Sequence, residues 1–202
     1  MTDTTESVPA GAGSSPQRER IIDIALQLMS EQGAANTSMR QLATACGVNV
    51  AALYYYFPSK ADIIRSVIEE RRYELRLTEI PPASVDLPPA ERLVGFFDLM
   101  WAGALEEEPV WRLLLIESIR RNADATAVGA DLVTTLTRHL VEWLDASFPD
   151  VDLDSRAVAD AMIGQLLGLF VETQFCPVEE RDAVASERAR QLASLVFGSA
   201  QR

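Results

Sequence analysis

The chain has 202 residues, 48% of them hydrophobic and 24% charged, which fits one large domain, or a small module fused to a medium one, folded around a real core. Two cysteines, Cys46 and Cys176, exclude a disulfide-dense scaffold and a cysteine-built zinc site, and a single histidine, His139, excludes multi-histidine metal motifs. The formal charge of −12 is uneven: residues 1–17 carry −2, residues 18–80 balance eight bases against eight acids, and residues 81–202 carry −10. Acidity therefore argues against phosphate binding only for the C-terminal part. Apolar runs such as 161–171 are too short to cross a bilayer, and no basic-then-apolar leader opens the chain. The expectation is a cytoplasmic, non-membrane protein with no cofactor and no metal.

Residues 1–16 are small, polar and rich in Gly, Ser, Thr and Pro, so a disordered tail is expected. From Gln17, Ile21, Ile22, Ala25, Leu28 and Met29 recur at three- and four-residue steps, the mark of an amphipathic helix that Gly33 ends. Asn36, Thr37 and Ser38 offer capping oxygens to a short helix carrying Met39, Leu42 and Ala43. Gly47 breaks it, and Asn49 caps another short helix with Val50, Leu53 and Tyr54. Ser59 with Asp62 opens a fourth helix that can run to Ile80, about 33 Å at 1.5 Å per residue. A Pro-rich linker spans 81–88. Helices are then predicted over 89–107, 110–122, 126–147, 154–175 and 178–198. No stretch alternates with period two between turns, so the fold class is all-α.

The informative segment is 38–60, SMRQLATACGVNVAALYYYFPSK. Two short helices flank a tight turn at Cys46–Gly47–Val48. Gly47 can take the positive φ the turn needs, and Leu42, Val48 and Leu53 lock the pair. This is the sequence form of a helix-turn-helix, whose second helix enters the DNA major groove. The run LYYYFPSK after Gly47–Val48, together with IIDIALQLMSEQGAANTSMRQLATACGV upstream, resembles the DNA-binding domain of the TetR family of transcriptional regulators over residues 20–64. The resemblance implies a helix-turn-helix domain over 17–60, joined by the fourth helix to a helical effector-binding and dimerisation domain over 61–202. It implies a regulator, most often a repressor, released from operator DNA by a small molecule. No catalytic role is expected: there is no triad, P-loop or H-E-x-x-H pattern.

Candidate DNA-binding residues are Ser38, Arg40, Asn49, Val50, Ala51, Ala52, Tyr54, Tyr55, Tyr56 and Lys60. Ser38 offers a hydroxyl and free N–H groups to a phosphate at a helix start. Arg40 can reach a phosphate or a guanine edge, or pair on the helix surface. Val50, Ala51 and Ala52 occupy the first turn of the reading helix, where base edges or thymine methyls are met. The reading helix lacks the Arg, Lys, Gln or Thr that direct readout favours, so specificity leans on Arg40, Asn49, methyl contacts and DNA shape. The three tyrosines either pack as a cluster or face DNA, and they cannot all face inward. Lys60, the lone lysine, stands where the resemblance implies a phosphate contact. Arg18 and Arg20 could add phosphate or minor-groove contacts.

Candidate effector-pocket residues are Phe97, Met100, Trp101, Trp111, Leu114, Trp143, Met162 and Phe170, which line a pocket or fill a core. Glu117, His139 and Gln165 are the polar candidates. Glu117, on the apolar run LLLIESI, either faces solvent, pairs with Arg120 or Arg121, or meets a polar effector. Ala157, Ala161, Gly164 and Gly168 form a small-residue stripe, flanked by Leu167, Phe170 and Val171, while Leu192, Leu195, Val196 and Phe197 offer an apolar face. Both point to a homodimer through the last two helices, because one reader covers too little DNA. A second reading from another class is a helical small-molecule carrier or interaction module whose DNA-binding motif has degenerated.

Overall fold

The computed structural model describes residues 15–70 and 79–198, and the regular elements among them are all helical. Of the tail expected over 1–16, residues 1–14 fall outside the described residues, as does the run of the fourth helix through 71–78, whereas Ser15 and Pro16 belong to the start of the first helix.

The N-terminal helices start and stop where local chemistry dictates. α1 (Pro16–Gln32) has Pro at its first turn and Ser15 as N-cap, whose Oγ accepts from Arg18 N at 3.2 Å. It buries Ile21, Ile22, Ala25, Leu26 and Met29 along one stripe. Gly33 ends it at φ +85°, and a single 3-10 turn (Ala34–Asn36) follows. α2 (Met39–Cys46) opens with a reciprocal capping box: Gln41 N donates to Ser38 Oγ and Ser38 N donates to Gln41 Oε1. Gly47, at φ +68°, turns the chain in the left-handed region, and Val48 N closes back on Ala43 O at 2.9 Å. α3 (Val50–Tyr56) is capped by Asn49, whose Oδ1 accepts from Ala52 N at 2.7 Å. In α4 (Lys60–Glu70) the Ser59 cap accepts from Asp62 N, while the Asp62 carboxylate accepts from the Ser59 hydroxyl.

Beyond the linker come α5 (Pro89–Glu106), α6 (Glu108–Ile119), α7 (Ala123–Ser147), α8 (Ser155–Glu172) and α9 (Arg181–Phe197). Their starts and ends lie within three residues of the predicted ones, except that Thr173–Phe175 and Val178–Glu180 tighten into 3-10 turns. α9 packs on α5, α8 on α7, and α6 lies between α1 and α7.

Two apolar cores result. The first joins Ile21, Met29, Leu42, Leu53, Phe57 and Ile63 of the N-terminal helices to Val110, Leu113 and Leu114 of α6 and to Leu132 and Leu136 of α7. Each such fully buried side chain stabilises the fold by about 1.5–3 kcal/mol. The second core holds Phe97, Trp101, Trp143, Met162 and Leu192 from α5, α7, α8 and α9. Cys46 lies in the first core, and burial pushes its thiol pKa up, with the Arg20 charge partly opposing, so the sulfur is a packing atom.

The Pro-rich linker is strapped to the second core. Arg92, buried on α5, uses all five of its N–H donors: Leu87 O at 2.7 Å, Val85 O at 2.9 Å, Ser147 O at 3.0 Å, and a two-pronged pair with Asp150 at 2.6 and 2.9 Å. Its guanidinium also lies over Phe148. Trp143 Nε1 donates to Pro81 O at 2.9 Å, and Ala83 N donates to Ser147 Oγ at 3.0 Å. The hydrogen bonds from Arg92 hold the Asp150 carboxyl below the usual aspartate range.

A lysine cannot reproduce this planar fork. Arg92→Lys should therefore lower the urea midpoint more than Arg156→Lys, whose exposed side chain pairs with the exposed Asp160 one turn away. Because the native Asp150 pKa is depressed, its contribution is present above the unfolded pKa, ~3.9, and disappears as the pH falls through the native value. Asp150→Asn should thus be less stable than wild type at neutral pH, with the gap closing on acidification. Urea titrations at several pH values read both effects.

Candidate functional site

Helical periodicity decides which groups the helix-turn-helix shows to the outside. Leu53 is fully buried in α3, and Val50 and Tyr56, three residues on either side, are partly buried against the first core. At ~100° per residue this leaves Ala51 and Tyr55 on the outer crest and Tyr54 on its shoulder. Tyr55 is 83% exposed and Tyr54 49% exposed, and Tyr55 meets Tyr56 edge-on with centroids 5.3 Å apart. The triplet therefore divides, with two rings outward and Tyr56 half inward. Ser38, Arg40, Asn49 and Ala51 are exposed, and Val50 and Ala52 are half-buried. Arg40 makes no ion pair among the described residues. Gln41 and Thr44 on α2 share this surface although they were not among the expected residues. The S-x-x-Q capping-box spacing was the signal for Gln41.

Two basic side chains expected at the DNA surface are engaged within the chain. Arg18 donates to Ser66 Oγ at 2.9 Å and stacks over Phe57, so it ties α1 to α4. Lys60 donates to Ala34 O and, at 3.0 Å, to Thr37 O. Its ammonium thereby closes the turn that leads into α2. Arg20 is exposed.

The same turn is held from the opposite side by Glu117 of α6. This carboxylate is 1% exposed; its Oε1 accepts from Ala34 N at 3.0 Å and from Arg120 Nη1 at 3.4 Å, and its Oε2 accepts from Asn122 Nδ2 at 3.1 Å. Of the three sequence alternatives for Glu117, the structure selects a buried pairing that includes Arg120. Arg120 also lies against Gly33, where a Cβ would come within 2.3 Å of Nη1, a contact the flexible arginine tip can relieve; the φ of +85° is what favours glycine there. α6 ends in a Schellman turn: Asn122 N bonds Glu117 O and Arg121 N bonds Ser118 O, with Arg121 at φ +59°. That turn delivers Arg120 and Asn122 to the Glu117 carboxylate.

A cavity of about 290 Å³ lies among α5, α6, α7 and α8. Met100, Leu99, Gly103 and Glu106 of α5, Trp111 of α6, Leu136 of α7, and Ile163, Leu166, Leu167 and Phe170 of α8 line it, with Ile80. Of the expected pocket residues, Met100, Trp111 and Phe170 reach the wall. The others do not line it. Phe97, Trp101 and Met162 are packed in the second core, as is Trp143, which stacks on Phe96 at 3.5 Å; Leu114 is in the first core. Glu117 sits at the turn just described, His139 Nδ1 lies 3.2 Å from Glu142, and Gln165 is half-buried off the wall. Aromatic spacing alone could not separate core from cavity. The signal that could was the run Ala102–Gly103–Ala104, whose missing bulk leaves room.

The small-residue stripe of α8 is uncovered. Ala157, Ala161, Gly164 and Gly168 are exposed, and a Cβ on either glycine would meet nothing within 4 Å. Val171, Phe175, Val178 and Leu195 are exposed nearby in sequence or on α9. Leu192, Val196 and Phe197 of the expected dimer face instead pack into the second core, and Phe197 stacks on Phe148. Leu195 is the residue of that group presented outward.

Residues 21–67 match the family described as bacterial regulatory proteins, tetR family. The chain is 28% identical over 189 residues to the HTH-type transcriptional regulator AcrR of Shigella flexneri, covering 83% of this chain and 86% of that protein. It is 39% identical over 177 residues to the nucleoid occlusion factor SlmA of Vibrio campbellii, covering 82% and 89%. Among solved structures, GusR of Salmonella enterica superposes with a TM-score of 0.71 at 20% identity, covering 91% of this chain and 94% of that one.

Removing the Glu117 carboxylate leaves the buried Ala34 N–H without its acceptor. Glu117→Ala should cost about 2–3 kcal/mol of folding stability, and Glu117→Gln, which keeps one acceptor oxygen, about 1 kcal/mol. Denaturant unfolding measures the difference, and amide exchange across residues 33–37 should speed up in the alanine variant.

Proposed function

The chain belongs to the tetR family of bacterial regulatory proteins, and on that premise we propose that it is a ligand-responsive transcriptional repressor, bound to operator DNA as a homodimer and released by a small molecule in the apolar cavity. The observation that carries the reading is the division of α3: one stripe is buried in the first core and the opposite crest, with Tyr54 and Tyr55, faces out beside the exposed Arg40. In a helix-turn-helix that crest is what meets the major groove. The tyrosine phenols then donate to phosphates, with Lys60 adding charge from behind the turn. The net neutrality of residues 18–80 lets this half approach DNA while the acidic remainder stays clear.

A second copy covers the small-residue stripe of α8 together with Leu195 of α9, which places two readers side by side on a pseudo-palindrome. α6 links the two activities. Trp111 forms part of the cavity wall, and Glu117, six residues later and about 9 Å along the helix axis, holds the turn before α2. An effector that displaces Trp111 displaces the partner of the Ala34 amide, so cavity occupancy and reader position are coupled. No catalysis is assigned, and the protein acts in the cytoplasm, where its DNA is.

The test is binding to duplexes from upstream of its own and neighbouring genes. Specific affinity should be sub-micromolar and fall steeply with salt. Lys60→Ala should weaken all duplexes alike, whereas Arg40→Ala should cost about 1–3 kcal/mol on the operator and relax its sequence preference. Weak, equal binding to every duplex would instead fit a carrier with a degenerate reader. For the dimer, Gly168→Leu adds bulk where the chain itself has none. It should sediment as a folded monomer and lose most operator affinity; an unchanged dimer would place the interface elsewhere.

A further inference from the structure

The outer crest of α3 carries hydrocarbon. Ala51 and Tyr55, four residues apart, are exposed, with Tyr54 and the half-buried Ala52 on the shoulders. Direct reading of guanine, adenine or cytosine typically uses an arginine or lysine, an amide, a carboxylate, or a serine or threonine hydroxyl. The crest has none of these. The neighbouring amides are partly engaged, since Asn49 Oδ1 accepts from Ala52 N and Gln41 Oε1 accepts from Ser38 N and from the Ser38 hydroxyl. One base feature in the major groove is itself apolar, the C5-methyl group of thymine, and it distinguishes T·A from every other pair by position.

We propose that α3 reads its operator through thymine methyl groups, with the Ala51 Cβ and the ring carbons of Tyr55 as the specificity-determining contacts. The proposal rests on the DNA-binding reading above and adds the class of base it selects. A methyl group lodged between Ala51 and Tyr55 leaves water on both sides of the contact. The phenol oxygen at the far end of the Tyr55 ring is left for the backbone. Arg40, on α2, supplies the polar contact at the edge of the same half-site. Two readers in a dimer repeat the arrangement, so thymines recur at symmetric positions.

The experiment uses the full-length protein and two random-sequence duplex libraries, one with thymidine and one with deoxyuridine throughout. Selection from the thymidine library should yield symmetric half-sites containing thymine. Replacing those thymines by uracil, which removes only the methyl, should weaken binding about fourfold per methyl, the equivalent of ~0.8 kcal/mol each. One methyl in each half-site gives more than tenfold. Uracil elsewhere in the duplex should change nothing. Ala51→Gly should bring the thymine-to-uracil ratio at one position towards one, and Tyr55→Phe should leave the ratio intact while lowering affinity for both duplexes.

Equal affinity for the thymine and uracil forms of the selected site would overturn the methyl reading and leave DNA binding standing. So would a selected half-site made of G·C pairs alone. Failure to enrich any sequence from either library would overturn both the methyl reading and the proposed function.

Discussion

The five-residue turn from Gly33 to Thr37 is gripped on both faces, and the position of the helix-turn-helix depends on that grip. From one side the buried Glu117 carboxylate accepts the Ala34 N–H; from the other the Lys60 ammonium takes the Ala34 and Thr37 carbonyls. A buried carboxylate is tolerated only when its oxygens have donors, and here a backbone amide, an arginine and an asparagine provide them. Ala34 thus has both of its backbone groups held by side chains from two different helices. The turn in turn sets where Ser38 begins α2. In the proposed function, a shift of α6 or α4 reaches the reader through this turn without any contact between the cavity and DNA.

The rest of the architecture makes that transmission stiff. The first core does not stop at the reader: α6 and α7 contribute Val110, Leu113, Leu114, Leu132 and Leu136 to it. Close-packed side chains have few alternative arrangements, so the helix that walls the cavity with Trp111 moves as one body with the residues it buries against α1. The linker after α4 is anchored just as firmly by Arg92, Trp143 and Ser147. The packed route between the halves, through α6 and the first core, supports the two-state response proposed above.

Charge and small residues separate the surfaces by task. The acidic half, with its uncovered Ala157–Ala161–Gly164–Gly168 stripe, suits a self-complementary protein contact because side chains no larger than a methyl group let backbones approach closely. The reader keeps Arg20, Arg40 and two phenols outward and places Arg18 and Lys60 on internal partners. With few free charges there, the proposed reading rests more on shape and apolar contact than is usual for a basic reader.

Much of this was written locally. Ser38, Gly47 and Asn49 dictate helix ends through their own caps and dihedrals, so the two short helices and their turn followed from residue type alone, and the three-residue periodicity around Leu53 foretold that the tyrosines must split. What the chain order could not reveal was which partner each long side chain would find. Lys60 and Arg18 read as solvent-facing cations, yet carbonyls and a serine hydroxyl distant in sequence claim them. Glu117 meets an amide 83 residues earlier. Trp101 and Trp143 share the spacing of Trp111, but only helix rotation within the bundle decided that Trp111 borders the cavity while the others fill the core. Caps and amphipathic stripes depend on neighbours within about one helical turn, and those are fixed by covalent order; long-range hydrogen bonds and cavity walls depend on how whole helices cross, and that is settled only when the bundle closes.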